Sequence, residues 1–214
     1  ALVSLLVLAV VTPAWAGLDI DFGAAVRIND DTDLFVSISS RYFDRDRRSI
    51  EKWGTRYSSD DLAVALFIAR YGHCSARDVF ERRARRQSWW EISVAFGVPM
   101  DVWFVPVSRK PGPPYGKAYG HWKKHKKHQR VVVLSDDDLR HLVSVKMVHE
   151  YYGVPVEVAM EWRASGRDLE NIVAGEYRNR HGGKHDADDR TTTDEAHNQN
   201  RGNGKGKTKN KGKS

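Results

Sequence analysis

"GLDIDFGAAVRINDDTDLFVSISSRYF", residues 17–43, is the stretch whose reading decides the fold. In its first half Leu18, Ile20, Phe22, Ala24, Val26 and Ile28 alternate with Asp19, Asp21, Gly23, Ala25 and Arg27. "NDDTD" then makes a polar turn, and Leu34, Val36 and Ile38 resume the alternation. A period of two predicts a β-hairpin with one buried face. Asn29, Asp31 and Asp33 have the opening spacing of a calcium loop. Leu34 at the glycine position and Ser40 at the bidentate position exclude calcium. A hairpin alone is marginal in water, so this one needs a partner.

The partner is helical. Ser58-Ser59 lead into "DDLAVALFIARYG", with acids in the first turn; Ser75 caps "ARDVFERRARR"; Ser88 and Glu91 form a capping box ahead of "WWEISVAFG". Ser135 and Asp138 repeat the signature before "LRHLVSVKMVHEYYG"; "VPVEVAMEWRASG" follows, and Asp168 caps "LENIVAGEY". Shifted by 80 residues, Tyr71, Glu81, Arg83, Ala84 and Ile92 fall on Tyr151, Glu161, Arg163, Ala164 and Ile172. The pattern predicts a duplicated three-helix unit, with "DVWFVPV" and "RVVVL" as short strands between the copies. The expected fold is therefore α+β: an N-terminal β-hairpin with short strands, packed on two similar helix-turn-helix-like units in one domain over 17–177.

Upstream, Leu2–Val11 is apolar apart from Ser4, and Ala14-Trp15-Ala16 precedes Gly17. This is the pattern of a secretory signal peptide over 1–16, too short for a membrane span. The expected location is therefore exported, with no transmembrane span in the mature chain. Cys74 is the only cysteine, which excludes an intramolecular disulfide. It reads as a small buried side chain rather than a nucleophile.

Charge is segregated. Val102–Ser135 holds eight Lys or Arg and no acid, whereas Arg178 to the end holds ten basic and five acidic residues. With a formal net charge of +7, the remainder carries 7 − 8 − 5 = −6. A mildly acidic body thus bears a basic loop (106–130) and a basic tail (178–214), the latter too poor in apolar residues to fold alone. Such partition points to a polyanionic partner.

The loop contains "PGPPYGKAYGHWKKHKKH", residues 111–128. Spacing of three to four residues suits Tyr115 and Tyr119 to pinning the loop on the body. Trp122 with Lys117, Lys123, Lys124, Lys126, Lys127 and Arg130 then forms a displayed polyanion-binding cluster. His121, His125 and His128, at i, i+4 and i+7, offer an alternative as metal ligands, although the lysines around them oppose a cation. "HEYYG" lacks the second histidine of the H-E-x-x-H zinc motif.

"GPPYGKAYGHW", with "FGVP", "LSDDDL" and the Gly/Lys-rich tail, resembles the motif of a family of small exported bacterial proteins that carries no assigned activity. The resemblance spans 17–177. It implies an exported location, bacterial periplasm or extracellular, and one compact domain, and it supplies no catalytic residue and no cofactor.

"SWWEISVAFGVPMDVWFV" has the turn of a DNA-binding helix-turn-helix, but Pro106 shortens its second helix, and Trp103, Phe104 and Val105 stand where base-reading side chains belong. No nucleophile elbow, P-loop or dinucleotide fingerprint is present, so nothing argues for an enzyme. The expected function is a non-enzymatic protein engaging an anionic lipid headgroup, surface polysaccharide or extracellular nucleic acid. The alternatives are an enzyme acting on an envelope polymer in a cleft between hairpin and helices, and a metal-handling protein.

Overall fold

The computed structural model describes residues 30–128 and 132–181. The chain divides into two compact units, Ala1–Gly175 and Glu176–Ser214. The expected signal peptide, the first expected strand, Arg130 and most of the basic tail lie outside the described residues.

Among the described residues the fold is all-α, and the expected hairpin is overturned. "NDDTD" opens a helix instead: Asp30 caps α1 (Asp31–Phe43) by accepting from the Asp33 N–H at 2.8 Å. Aspartates favour helix N-termini as much as turns. Alternation through Leu34, Val36 and Ile38 misleads because Phe35, Ser37 and Ser39 are buried too. The helix is enclosed on most sides, so no polar face marks its period. Asp44, at φ 52°, ends α1, and Asp46 caps α2 (Arg47–Gly54).

The remaining caps follow the sequence. Ser58 caps α3 (Ser59–Tyr71), Ser75 caps α4 (Ala76–Ala84), and Ser88 with Glu91 closes a capping box on α5 (Trp89–Ala95). "DVWFVPV" is not a strand: Met100–Trp103 forms a 3₁₀ turn and the chain runs on without a ladder. "RVVVL" likewise shows no strand in its described part, although Val132 and Leu134 are buried. Between them stands α6 (Gly116–His128), where a loop is expected. Ser135 and Asp138 box the start of α7 (Asp136–Tyr152), and α8 is Val156–Ala164. Asp168 caps α9, whose residues in this unit are 169–175, through the Asn171 N–H at 2.8 Å. Residues 176–181 of the second unit are helical, with Arg180 paired to Glu176 at 2.7 Å.

α3 is the axis of the core. Leu62 through Ala69 are all buried, as in a helix surrounded by others. It packs on α1, α2, α4, α5 and α7. α1 is held by Arg70 donating to the Tyr42 carbonyl at 2.6 Å and by Tyr42 donating to Glu150 of α7 at 2.6 Å.

The helix series α3-α4-α5 recurs as α7-α8-α9, and α4 and α8 are nine residues each, 80 apart. The copies clasp each other reciprocally. Arg83, at the end of α4, pairs with Asp136 of α7 at 2.7 Å, and the other oxygen of Asp136 accepts the Trp89 N–H at 2.8 Å. Arg163, at the end of α8, pairs with Asp60 of α3, and the other oxygen of Asp60 accepts the Leu169 N–H at 3.2 Å. Each arginine also donates to a carbonyl four residues on, Gln87 or Arg167. An aspartate in the first turn of one copy thus caps the third helix of the other. The duplication is one of contacts as well as sequence.

Arg163 is only 8% exposed, so removing it strands a carboxylate out of water. Arg163→Ala is expected to lower the free energy of unfolding by ~3–5 kcal/mol. Arg77→Ala, which breaks the exposed pair with Glu81, should cost no more than ~0.5 kcal/mol in the same urea titration.

Candidate functional site

The basic segment enters through Pro111–Pro114 and turns into α6 at Gly116, whose N–H donates to the Gly112 carbonyl at 2.9 Å. A side chain at Gly116 would meet the Pro111 carbonyl oxygen at 2.9 Å, so the close turn requires glycine there. Tyr115, Ala118, Tyr119 and Trp122 then recur at helical spacing and form the inner face.

Tyr115 is 3% and Tyr119 6% exposed. The Tyr119 hydroxyl donates to the Val105 carbonyl at 2.8 Å, and that of Tyr115 reaches the Met160 carbonyl of α8 at 3.4 Å. Burial pushes the Tyr119 phenol up to about 12, so it remains a donor at neutral pH. Trp122 is half-buried: its Nε1–H donates to Asp101 at 2.6 Å and its ring stacks on Phe104 at 4.7 Å, with planes 2° apart. The Lys126 ammonium lies 4.6 Å from the centroid of the Trp122 ring. Trp122 therefore works as an anchor: it is hydrogen-bonded to Asp101 and stacked on Phe104, with Lys126 near its ring.

The outer face carries the charge. Lys117, Lys123, Lys124, Lys126 and Lys127 are all exposed. Among the described residues none of these lysines is in an ion pair, whereas Arg47, Arg77, Arg83, Arg140, Lys146 and Arg163 each hold a carboxylate. Placement of Lys123 to Lys127 in the last turns of α6 suits the negative end of the helix. Arg130 and the side chain of His128 lie outside the described residues. His121 and His125 stand one turn apart on α6, and the described residues contain no group of three or more ligating side chains able to hold a metal.

Beside α6, Val107–Pro113 and α8 border an open cleft of about 260 Å³, with Tyr115 and Met160 in its wall. It presents Arg109 and Lys110 against Glu157 and Glu161. Glu157 accepts from the Ser108 hydroxyl at 2.9 Å. Its own backbone N–H, Ser108 and Arg109 hold its carboxyl below the ordinary range. An ionised, solvent-facing glutamate is unsuited to general acid work at neutral pH. The hairpin that was to wall the expected cleft does not form in its described half, which is α1.

The stretch that a DNA-binding helix-turn-helix would use as its second helix is the four-residue turn Met100–Trp103, with Trp103 fully buried. The other "GVP" turn does join two helices, α7 and α8, through Gly153 at φ 65°. Glu157 and Glu161 on α8 oppose a phosphate backbone. The described fold is helix-turn-helix-like. No described helix is long and apolar enough to cross a membrane.

Sequence reasoning did not single out Asp101, which with Phe104 seats Trp122, or His141, whose ring lies 5.7 Å from that of Tyr115, and it noted Phe104 only as out of place in a base-reading helix. Nothing in "MDVWF" or "LRHLV" distinguishes those residues from ordinary helix and turn positions. Burial first, then Arg163, lowers the His141 pKa, against the opposing pull of Asp137, Asp60 and Asp138. The unfolded chain therefore takes up this proton before the folded one. The resulting stability is present above the ordinary histidine pKa and is lost as pH falls toward the folded value. The urea midpoint should drop from about pH 7.5 to about pH 5.5, with a shallower slope in His141→Gln. Equal slopes in the two proteins would show that His141 does not carry the effect.

No family model, curated protein or solved structure matches this chain.

Proposed function

We propose that this is a non-enzymatic binding protein that engages a polyanion through the outer face of α6. The observation that carries the reading is the concentration of charge on one helix face. Lys117, Lys123, Lys124, Lys126 and Lys127 of α6 are all exposed, and among the described residues none of them is in an ion pair, whereas Arg47, Arg83, Arg140 and Arg163 of the body each hold a carboxylate. Tyr115, Tyr119 and Trp122 fasten the opposite face, so the charges form a fixed array rather than a floppy run. A preorganised array loses less conformational entropy on binding.

Export belongs to the proposal as well. It rests on the apolar run and the Ala14-Trp15-Ala16 site in the sequence. In that setting the ligand is an envelope or extracellular polyanion: a lipid headgroup, a surface polysaccharide or a nucleic acid. The tail, with its own excess of lysine, extends the same chemistry.

The test is binding across a salt series to inorganic polyphosphate and to vesicles half of phosphatidylglycerol. A variant with Lys123, Lys124, Lys126 and Lys127 changed to Ala is compared. At ~0.7–0.9 per anionic contact, loss of four contacts should lower the log–log salt slope by about 3. A wild type that binds neither probe, or a variant that binds as well as wild type, overturns the reading.

A further inference from the structure

Gly120 is the fifth of thirteen residues of α6 and has no role inside the chain that explains it. A Cβ built there meets nothing within 4 Å, and its φ is not among the positive values. Alanine would fit and would favour the helix, in whose interior glycine is weaker than every residue except proline. This separates Gly120 from Gly116, whose close approach to Pro111 forbids a side chain.

What surrounds Gly120 is outside the core. Lys117 at i−3, Lys123 at i+3, Lys124 at i+4 and Lys127 at i+7 share its side of the helix, and all are exposed. Four ammonium groups therefore frame a patch of bare backbone, over about 15 Å of helix at 1.5 Å per residue.

The chemistry of an occupant follows from what the patch lacks. Tyr115 and Tyr119 are buried, and the half-buried Trp122 is stacked on Phe104 with the Lys126 ammonium near its ring. Of the described rings of α6 none is fully exposed: His121, Trp122 and His125 are each half-buried, which offers a base poor purchase. Lysines are point charges without the planar fork that reads base edges. α6 exposes no large apolar side chain to enter a bilayer. A vesicle surface is broad and meets lysine tips, beyond the reach of any shorter side chain at position 120.

We infer that the outer face of α6 takes a linear, base-free phosphate chain, which lies against the helix backbone at Gly120 with Lys117, Lys123, Lys124 and Lys127 around it. This rests on the polyanion reading and narrows it to one chemistry.

The experiment uses the full chain and titrates Gly120→Ala and Gly120→Leu with inorganic polyphosphate. Phosphatidylglycerol vesicles and duplex DNA at equal phosphate serve as the other arms, and each variant is melted in parallel. Gly120→Ala should melt higher than wild type and bind polyphosphate more weakly. Gly120→Leu, at unchanged net charge, should lose polyphosphate affinity at least several-fold and keep vesicle binding. If both variants bind polyphosphate as wild type does while the four-lysine variant fails, this inference is wrong and the polyanion reading stands. Tighter binding of DNA than of polyphosphate, or an equal loss on vesicles, also overturns it. Failure of the wild type on every arm removes both.

Discussion

The ion pair between Asp60 and Arg163 is the constraint on which the arrangement depends. It joins α3, the axis of the first copy, to the end of α8 in the second. Asp60 also accepts the Leu169 N–H, and the Ser144 hydroxyl of α7 lies 3.4 Å from it. One carboxylate thus brings four helices to a point. A buried pair is weak support for net stability, because both ions lose their water. Its worth lies in selecting one arrangement of apolar helices over others that would bury similar area. The counterpart pair, Arg83 with Asp136, selects the same arrangement from the other side. Because α8 is fixed in this way, the Met160 carbonyl that Tyr115 approaches is fixed too, and α6 is seated by it.

How much of this was readable in the sequence depends on what each signal means physically. Serine caps followed by acids have one good use, and Ser58, Ser75, Ser88 and Ser135 mark the helix starts that they predict. The 80-residue likeness was legible because Arg83 and Arg163 are held in place by reciprocal contacts. α1 was misread because Ser37 and Ser39, polar by type, are buried, which left only the period-two component of the pattern visible. Ser37 accepts from Arg47 and donates to the Asp33 carbonyl, satisfaction that no local pattern announces. α6 was expected as a loop because its prolines and glycines dominate the composition. The prolines sit before the helix, and only Gly120 lies in its interior away from the turn.

The candidate site shows the same division. Helical spacing of tyrosines and lysines revealed which side chains face the body and which face water. The partners of Trp122 were not legible, since Asp101 lies in a 3₁₀ turn and Phe104 just past it, in a stretch that reads as a strand. With Trp122 stacked on Phe104 and bonded to Asp101, the aromatic residues of the segment serve chiefly to seat α6 on the body.

Crowding lysines on a short helix has a consequence for the empty protein. Lys123 and Lys127 are one turn apart, and like charges at that spacing repel. The aromatic anchors hold α6 together against this repulsion, so part of their packing energy offsets the helix's own field. Dissolved salt weakens that field and relieves α6 of internal strain, yet the same ions compete for the lysines. Ionic strength thus acts on one helix in opposite senses: it firms α6 at rest and, on the proposed reading, would weaken its hold on a charged polymer. In dilute surroundings α6 is a spring held compressed against its own charge, and counter-ions gathering on its lysines let it relax.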